Sequence, residues 1–312
     1  MCLVSVVITT YNRPVTILKR ALDSVVQQTM TDFEIIVVND APKSIELVNE
    51  IRILIDSYKK DNIIYIVHAI NSGACQARNT GINKAKGKFI AFLDDDDEWI
   101  SEKLEKQLVY MKNDNVGLVY CASNIVSANG SQKRYIPKKV ETNFYEEILR
   151  TNYVGSTSFP LLRLNSVKEC GMFDIMAVSS QDYDLWIRIL KHSEARLVQE
   201  PLVNYYLSED STFSNVAKYA EGDLYLMNKY KIEFAKYPKA YSYHVNNSAL
   251  NMLALKHRVN IKMYLIFKIK GILTNPLSVY NYFLLCIKAI NKIKRIKAYK
   301  YSLIFIDFQK TT

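Results

Sequence analysis

Along its first 120 residues the chain alternates short, β-branched apolar runs with stretches of helical periodicity. The runs are LVSVVITT, FEIIVV, NIIYIV, KFIAFL and VGLVY; between them lie Val15 to Gln28, Ser44 to Tyr58, Ala74 to Lys86 and Glu102 to Lys112. Near-continuous apolar strands separated by helices predict an α/β fold with a mainly parallel central sheet flanked by helices on both faces. Right-handed crossovers then bring the strand C-termini to one edge, where open α/β sheets bind ligands. The turns Asn12-Arg13-Pro14, Asn39-Asp40-Ala41-Pro42, Asn71-Ser72-Gly73 and Asp94 to Asp97 all fall on that edge.

From residue 122 to 215 the alternation is less regular. Asn129-Gly130 reads as a turn and Asp182 to Lys191 as a helix. Beyond residue 216 the chain reads as helices, interrupted at Gly271 to Pro276. The stripe Ile287, Ile290, Ile293 and Ile296 is flanked there by Lys288, Lys292, Lys294, Arg295 and Lys297. The expected organisation is an α/β domain over 1–215, divided into a first half (1–121) and a second half (122–215), followed by a basic helical extension over 216–312.

Charge sharpens this division. The net charge of +10 suggests nucleic acid at first, but residues 234–306 hold thirteen Lys or Arg and no Asp or Glu. Residues 1–233 carry 27 basic against 30 acidic residues, so the body is mildly acidic and the basicity belongs to a tail. A nucleic-acid-binding protein is therefore disfavoured, and a catalytic domain tethered to an anionic surface is expected. The five cysteines (Cys2, Cys75, Cys121, Cys170, Cys286) form no CxxC pair, which suggests neither a disulfide framework nor a zinc site. Met1 to Thr10 runs straight into a strand-like stretch, and no apolar run is long enough to span a bilayer. A cytoplasmic location is expected.

The candidate chemistry sits on the sheet edge. Asp94-Asp95-Asp96-Asp97 follows KFIAFL directly, and an extended segment would put Asp94 and Asp96 on one face. Such like charge is unfavourable unless a cation offsets it, and a hard divalent ion completed by phosphate oxygens and water fits. The alternative is a solvated acidic turn with Asp97 capping the helix that starts near Ser101. Asp40 ends the second strand, where nucleotide-binding folds set an acidic group against ribose or base, although taken alone a turn-forming aspartate is the commoner role there. The turn Thr9-Thr10-Tyr11-Asn12-Arg13-Pro14 has no glycine, which argues against a dinucleotide site; its polar and aromatic groups suit a base instead. Arg78 lies on the helix opened by Asn71-Ser72-Gly73, within reach of an anionic ligand or solvent. Asp184 and Arg188 are spaced as an i,i+4 pair, leaving Asp182 as an N-cap or a functional carboxylate. No nucleophile elbow and no histidine cluster appears.

Taken together, VSVVITTYNRP, QQTMTDFEIIVVNDAP, NSGACQARNTGI, GKFIAFLDDDDEW and SSQDYDLWIRI appear in the order seen in family 2 glycosyltransferases, which have the GT-A fold. The chain resembles that family over residues 3–215, which implies a catalytic domain with its nucleotide-binding half in 1–121 and its acceptor-side half in 122–215. The resemblance implies that Thr9, Tyr11 and Asp40 hold base and ribose, and that Arg78, Asp94 and Asp95 lie near the nucleotide or its diphosphate. Asp94 and Asp96 match the DxD motif, with Asp96 the direct ligand of Mg²⁺ or Mn²⁺, and Asp182 matches the catalytic base. Asn39 and Gln181 depart from the family, standing where an acidic residue and a glutamate are common. The implied activity is inverting transfer of a sugar from a nucleotide-diphosphate sugar, a UDP-sugar being expected, to an acceptor hydroxyl on a glycan or lipid-linked molecule. The setting implied is surface polysaccharide or glycolipid synthesis, with the basic tail on the inner face of the cell membrane. A metal-dependent nucleotidyltransferase explains Asp40 and the acid cluster too, but does not require Asp182 beside them.

Overall fold

The computed structural model describes residues 2–207, 211–254, 269–271 and 273–274. The Ile287 to Ile296 stripe and its basic neighbours lie outside the described residues. The chain divides into two compact units, 1–226 and 227–312. The boundaries read from the sequence, at 121 and 215, fall inside a strand and a helix respectively, because the apolar pattern changes there while the backbone continues.

The first half follows the predicted alternation: β1 (Val4–Thr10), α1 (Val15–Val26), β2 (Phe33–Asn39), α2 (Ile45–Ser57), β3 (Ile63–Val67), α3 (Ala74–Lys84), β4 (Phe89–Asp94), β5 (Glu98–Trp99) and α4 (Lys103–Tyr110). β1 pairs in parallel with β2 and β4, and β2 with β3. The apolar side chains of β1, β2 and β4 are removed from water, as expected for strands covered on both faces, whereas β3, at the sheet's edge, is half-buried throughout. α1 buries Leu18, Ala21, Leu22 and Val25, one stripe at helical spacing, and so docks by its apolar face. α3 approaches the sheet so closely that a Cβ on Gly81 would lie 2.3 Å from Val7, which is why only glycine fits there.

The second half consists of β6 (Val116–Val126), β7 (Gln132–Tyr135), α5 (Phe144–Arg150), β8 (Leu161–Arg163), α6 (Leu164–Glu169), α7 (Gln181–Leu190), β9 (Glu194–Tyr206) and α8 (Ser211–Lys229). Among the described residues nine strands form one sheet, β3-β2-β1-β4-β8-β6-β9-β5, with β7 beside β6. The short β8 inserts antiparallel between β4 and β6, while β6 and β9 run parallel to each other. The Asn129-Gly130 turn closes the β6–β7 hairpin, with Gly130 at φ 79°. In the second unit α9 (Lys231–Lys236) and α10 (Pro238–Ala254) pack through Phe234, whose ring lies 5.4 Å from those of Tyr241 and His244. Among the described residues no helix is long and apolar enough to cross a membrane.

Three local expectations are corrected. The acidic run is not extended beyond Asp94: the Asp97 N–H donates to the Asp94 carbonyl at 3.0 Å, closing a turn. Asp97 does not cap a helix, because α4 starts at Lys103 behind Glu102; it is 1% exposed and accepts from the Ser158 hydroxyl at 2.6 Å. Asp182 is not the N-cap of its helix, since Ser180 holds that place at φ 57° and Asp182 lies in the first turn.

Candidate active site

The C-terminal ends of β1, β2 and β4 meet the start of α7, and this junction collects the acidic groups. Thr9 is in register with Asp94 across the β1–β4 ladder and is half-buried. Tyr11, 53% exposed on the following turn, stands at the mouth with its ring open to a ligand. Arg13, two residues on, donates from Nη2 to Asp96 Oδ2 at 2.6 Å and sets Nε 3.3 Å from Asp95 Oδ1. Arg20, one turn into α1, donates to the Asp96 carbonyl and lies 3.7 Å over the Tyr206 ring.

Asp94 is the hub. It accepts from Arg78 Nη2 at 2.7 Å and from Thr157 Oγ1 at 3.3 Å, while its own N–H donates to Ser158 Oγ at 3.1 Å. Ser158 thereby links Asp94 to the buried Asp97 and holds the turn's shape. Arg78 reaches across the cleft, donating from Nη1 to Gln181 Oε1 at 3.2 Å. One guanidinium thus joins the acidic turn to the first residue of α7. Asp182, the next residue, is half-buried and accepts the Tyr183 N–H at 2.7 Å through Oδ1.

Electrostatics mark this cluster as out of balance. Burial pushes Asp182 up to about 6; the nearby Arg78 charge opposes that rise, and Asp94 adds to it. Burial likewise raises Asp95 to about 6, with Asp96 and Asp94 pushing the same way against the Thr10 hydroxyl and Arg13. Asp96 is raised by burial and Asp94, and Asp97 well above the carboxylate range by burial and the same neighbour. The charge of Asp94 therefore weighs on four other carboxyls. Asp95 Oδ2 is buried without a partner of hydrogen-bond geometry.

The residues suit a hard divalent cation. Among the described residues no group of three or more His, Cys, Asp or Glu is preassembled to hold one. Mg²⁺ and Mn²⁺ sites completed by a nucleotide's phosphates need only one or two protein carboxylates, and two all-oxygen side chains, Asp94 and Asp96, stand on one turn among strained like charges. Arg13 and Arg78 currently balance them.

Asp40 behaves differently from the rest. At 4% exposed, it accepts from the Ser72 N–H at 2.8 Å and the Gly73 N–H at 2.7 Å, and its Oδ1 lies 2.7 Å from His68 Nδ1. Both oxygens are engaged by the loop that leads into α3, whose N-cap Gly73 has φ 84°. Asp40 thus braces the wall carrying Arg78. Asp40→Asn turns an acceptor into a donor facing these N–H groups and is expected to cost about 2–3 kcal/mol. Thermal unfolding without nucleotide should show a fall of about 4–12 °C.

Helix α7 is anchored on its other faces. Asp184 accepts from Arg188 Nη2 at 2.7 Å, the predicted i,i+4 pair; the Tyr183 hydroxyl donates to the Ile148 carbonyl at 2.7 Å; and Trp186, fully buried, donates to the Gly155 carbonyl at 3.2 Å. These contacts fix the orientation of Asp182. The sequence reading missed Arg13, Thr157 and Ser158. Arg13 lay inside the TYNRP motif, whereas Thr157 and Ser158 carry no local signal at all.

Residues 5–170 match the model of glycosyl transferase family 2. Among curated relatives, an uncharacterised glycosyltransferase of Methanocaldococcus jannaschii is 32% identical over 229 residues, 69% of this chain and 75% of its own, and Escherichia coli WfgD, described as a UDP-Glc:α-D-GlcNAc-diphosphoundecaprenol β-1,3-glucosyltransferase, is 31% identical over 69% of this chain and 81% of its own. Among solved structures, a Pyrobaculum calidifontis mannosyltransferase in complex with GDP-Man and Mn²⁺ has a TM-score of 0.64 at 17% identity, covering 98% of this chain and 83% of that one. Staphylococcus aureus TarS has a TM-score of 0.61 at 18% identity over 88% of this chain, which spans about half (49%) of TarS. The sheet is that of the GT-A fold. An acid turn on the sheet edge, a carboxylate opposite it on α7 and a family match over residues 5–170 lead to one conclusion: the chain belongs to glycosyl transferase family 2 and is a glycosyltransferase.

Proposed function

We propose that the protein is a metal-dependent, inverting glycosyltransferase that moves a sugar from a UDP-sugar to the hydroxyl of a lipid-linked or glycan acceptor in surface polysaccharide synthesis. The observation that carries this reading is the Arg78 bridge, which sets Asp94 and the residue preceding Asp182 on either side of one guanidinium. A nucleotidyltransferase has no use for a second carboxylate, Asp182, next in the chain to that bridge.

In this reading Tyr11 and Thr9 receive the base and ribose, and Asp40 acts by bracing the 68–73 loop. Asp94 and Asp96 would hold Mg²⁺ or Mn²⁺, which when bound supplies positive charge against the departing diphosphate. Arg13 and Arg78 add fixed positive charge on the same side. Asp182 takes the acceptor hydroxyl's proton as that oxygen attacks the anomeric carbon. The leaving diphosphate needs charge stabilisation rather than a proton, so one carboxylate base suffices, and a single in-line displacement at the anomeric carbon inverts its configuration. Holding donor and acceptor in line removes much of the entropic barrier. The relative WfgD, named for UDP-Glc and an undecaprenol-linked acceptor, supports the donor and acceptor classes.

Thermal unfolding with UDP, UDP-glucose, UDP-N-acetylglucosamine and GDP-mannose, each with and without Mn²⁺, tests the reading. A ligand at about 100 Kd contributes about 2.7 kcal/mol, so a UDP-sugar with Mn²⁺ should raise Tm by about 5–10 °C, and chelation should abolish the shift. Stabilisation by nucleoside triphosphates alone would favour the nucleotidyltransferase.

A further inference from the structure

Between α6 and α7, residues 174–179 form a tight loop that shows its apolar members to solvent. Ile175 is 63% exposed, Met176 71% and Val178 71%, three large apolar side chains in four positions. The backbone beneath them is fixed rather than loose. The Met176 N–H donates to Asp174 Oδ1 at 2.9 Å, the Ala177 N–H to the Asp174 carbonyl at 3.1 Å, and the Tyr225 hydroxyl of α8 to Asp174 Oδ2. At the far end, Gln181 Nε2 donates to the Ala177 carbonyl at 3.1 Å while Oε1 accepts from Arg78. Only an amide does both, since an ionised glutamate at 181 would accept from Arg78 but have nothing to donate to Ala177. The departure from glutamate at this position therefore ties the apolar loop to the donor side of the cleft.

A rigid display of three apolar side chains is unfavourable in water unless something apolar covers it. Two observations indicate what does. The loop runs directly into Asp182, so whatever covers it arrives where the acceptor hydroxyl must be. The same chain carries thirteen Lys or Arg and no acidic residue over 234–306, which complements an anionic surface. An anionic lipid bilayer has both the apolar interior and the charge.

We infer that loop 174–179 is a lipid-contacting element that inserts Ile175, Met176 and Val178 into an anionic membrane surface and so sets the base beside the leaflet. The contact with lipid stands without the sugar-transfer reading, which supplies only the identity of the molecule delivered there.

Vesicle co-sedimentation of the full chain tests it, using phosphatidylethanolamine–phosphatidylglycerol vesicles at low salt and at a salt concentration that screens surface charge. Burying these side chains is worth at least about tenfold in partitioning. The variant Ile175→Ser, Met176→Ser, Val178→Ser should lose that factor at both salt concentrations, with its Tm and its nucleotide-sugar thermal shift unchanged. The variant Ile45→Ser, Ile53→Ser, which removes equally exposed apolar groups from α2, should partition like the parent. As a second readout, Ile175→Trp should show a blue-shifted emission when vesicles are added. Unchanged partitioning of the triple variant, or no blue shift, overturns the inference. So does a concentration-dependent dimer, without vesicle binding, that the triple variant disperses.

Discussion

Asp182→Asn is expected to lower turnover by about 10²–10⁴, the usual value of a positioned general base, while nucleotide-sugar binding measured by thermal shift stays intact. The asparagine keeps the size of the side chain and the oxygen that accepts the Tyr183 N–H, so the first turn of α7 is preserved. What it removes is the ability to take a proton. The parent enzyme should show the same dependence through pH. Asp182 is raised from 3.8 to about 6, so kcat/KM should fall tenfold per pH unit below about 6 and level off above it. The linkage to stability has the opposite sense. A carboxyl whose folded pKa lies above its unfolded value favours the native state most below about pH 4, and loses that contribution as pH rises through 6. The buried base is thus poised for activity in the range where it no longer helps the fold. A flat pH profile between 5 and 7 in the parent, or full turnover in Asp182→Asn, would remove it as base.

Asp94→Asn is expected to have the second-largest effect, lowering turnover by about 10²–10³ and abolishing the Mn²⁺-dependent part of the nucleotide-sugar thermal shift. Asp94 touches both halves of the reaction, because it accepts from Arg78 and its charge raises the pKa of Asp182. Removing the charge should therefore shift the acid limb of kcat/KM below 6, an outcome that mere loss of metal affinity would not produce. The variant also leaves the Arg78 guanidinium, whose side chain is 11% exposed, without its counter-ion. Because asparagine retains an acceptor oxygen and Asp94 is partly open to water, the cost to folding is about 1–3 kcal/mol, measurable by urea unfolding. An unchanged acid limb would show that Asp94 and Asp182 do not sense each other.

Much of the catalytic domain was legible because its code is local. The central strands of the first half are runs of Val, Ile and Phe long enough to be buried on both faces, and α1 carries one apolar stripe of Leu18, Ala21, Leu22 and Val25. The Asp184–Arg188 pair follows from four residues of spacing on a helix. The short β8 was not legible. Three residues carry too little periodicity to announce a strand, and its place between β4 and β6 depends on pairing with partners distant in sequence.

The sequence by itself determined the order of strands and helices over the first 120 residues, the edge on which the turns gather, the acidic run after β4 and the family to which the motifs belong. Those properties arise from side-chain periodicity and from residue types adjacent along the chain. The tertiary structure decided how the carboxylates divide their work. Asp40 accepts from the backbone of a loop 32 residues away, Asp97 is buried against Ser158, and Arg78 spans 103 residues to bring Gln181 opposite Asp94. Desolvation and pairing are properties of a three-dimensional neighbourhood, and no local pattern reveals which of several identical aspartates will be buried, paired or left to accept a proton.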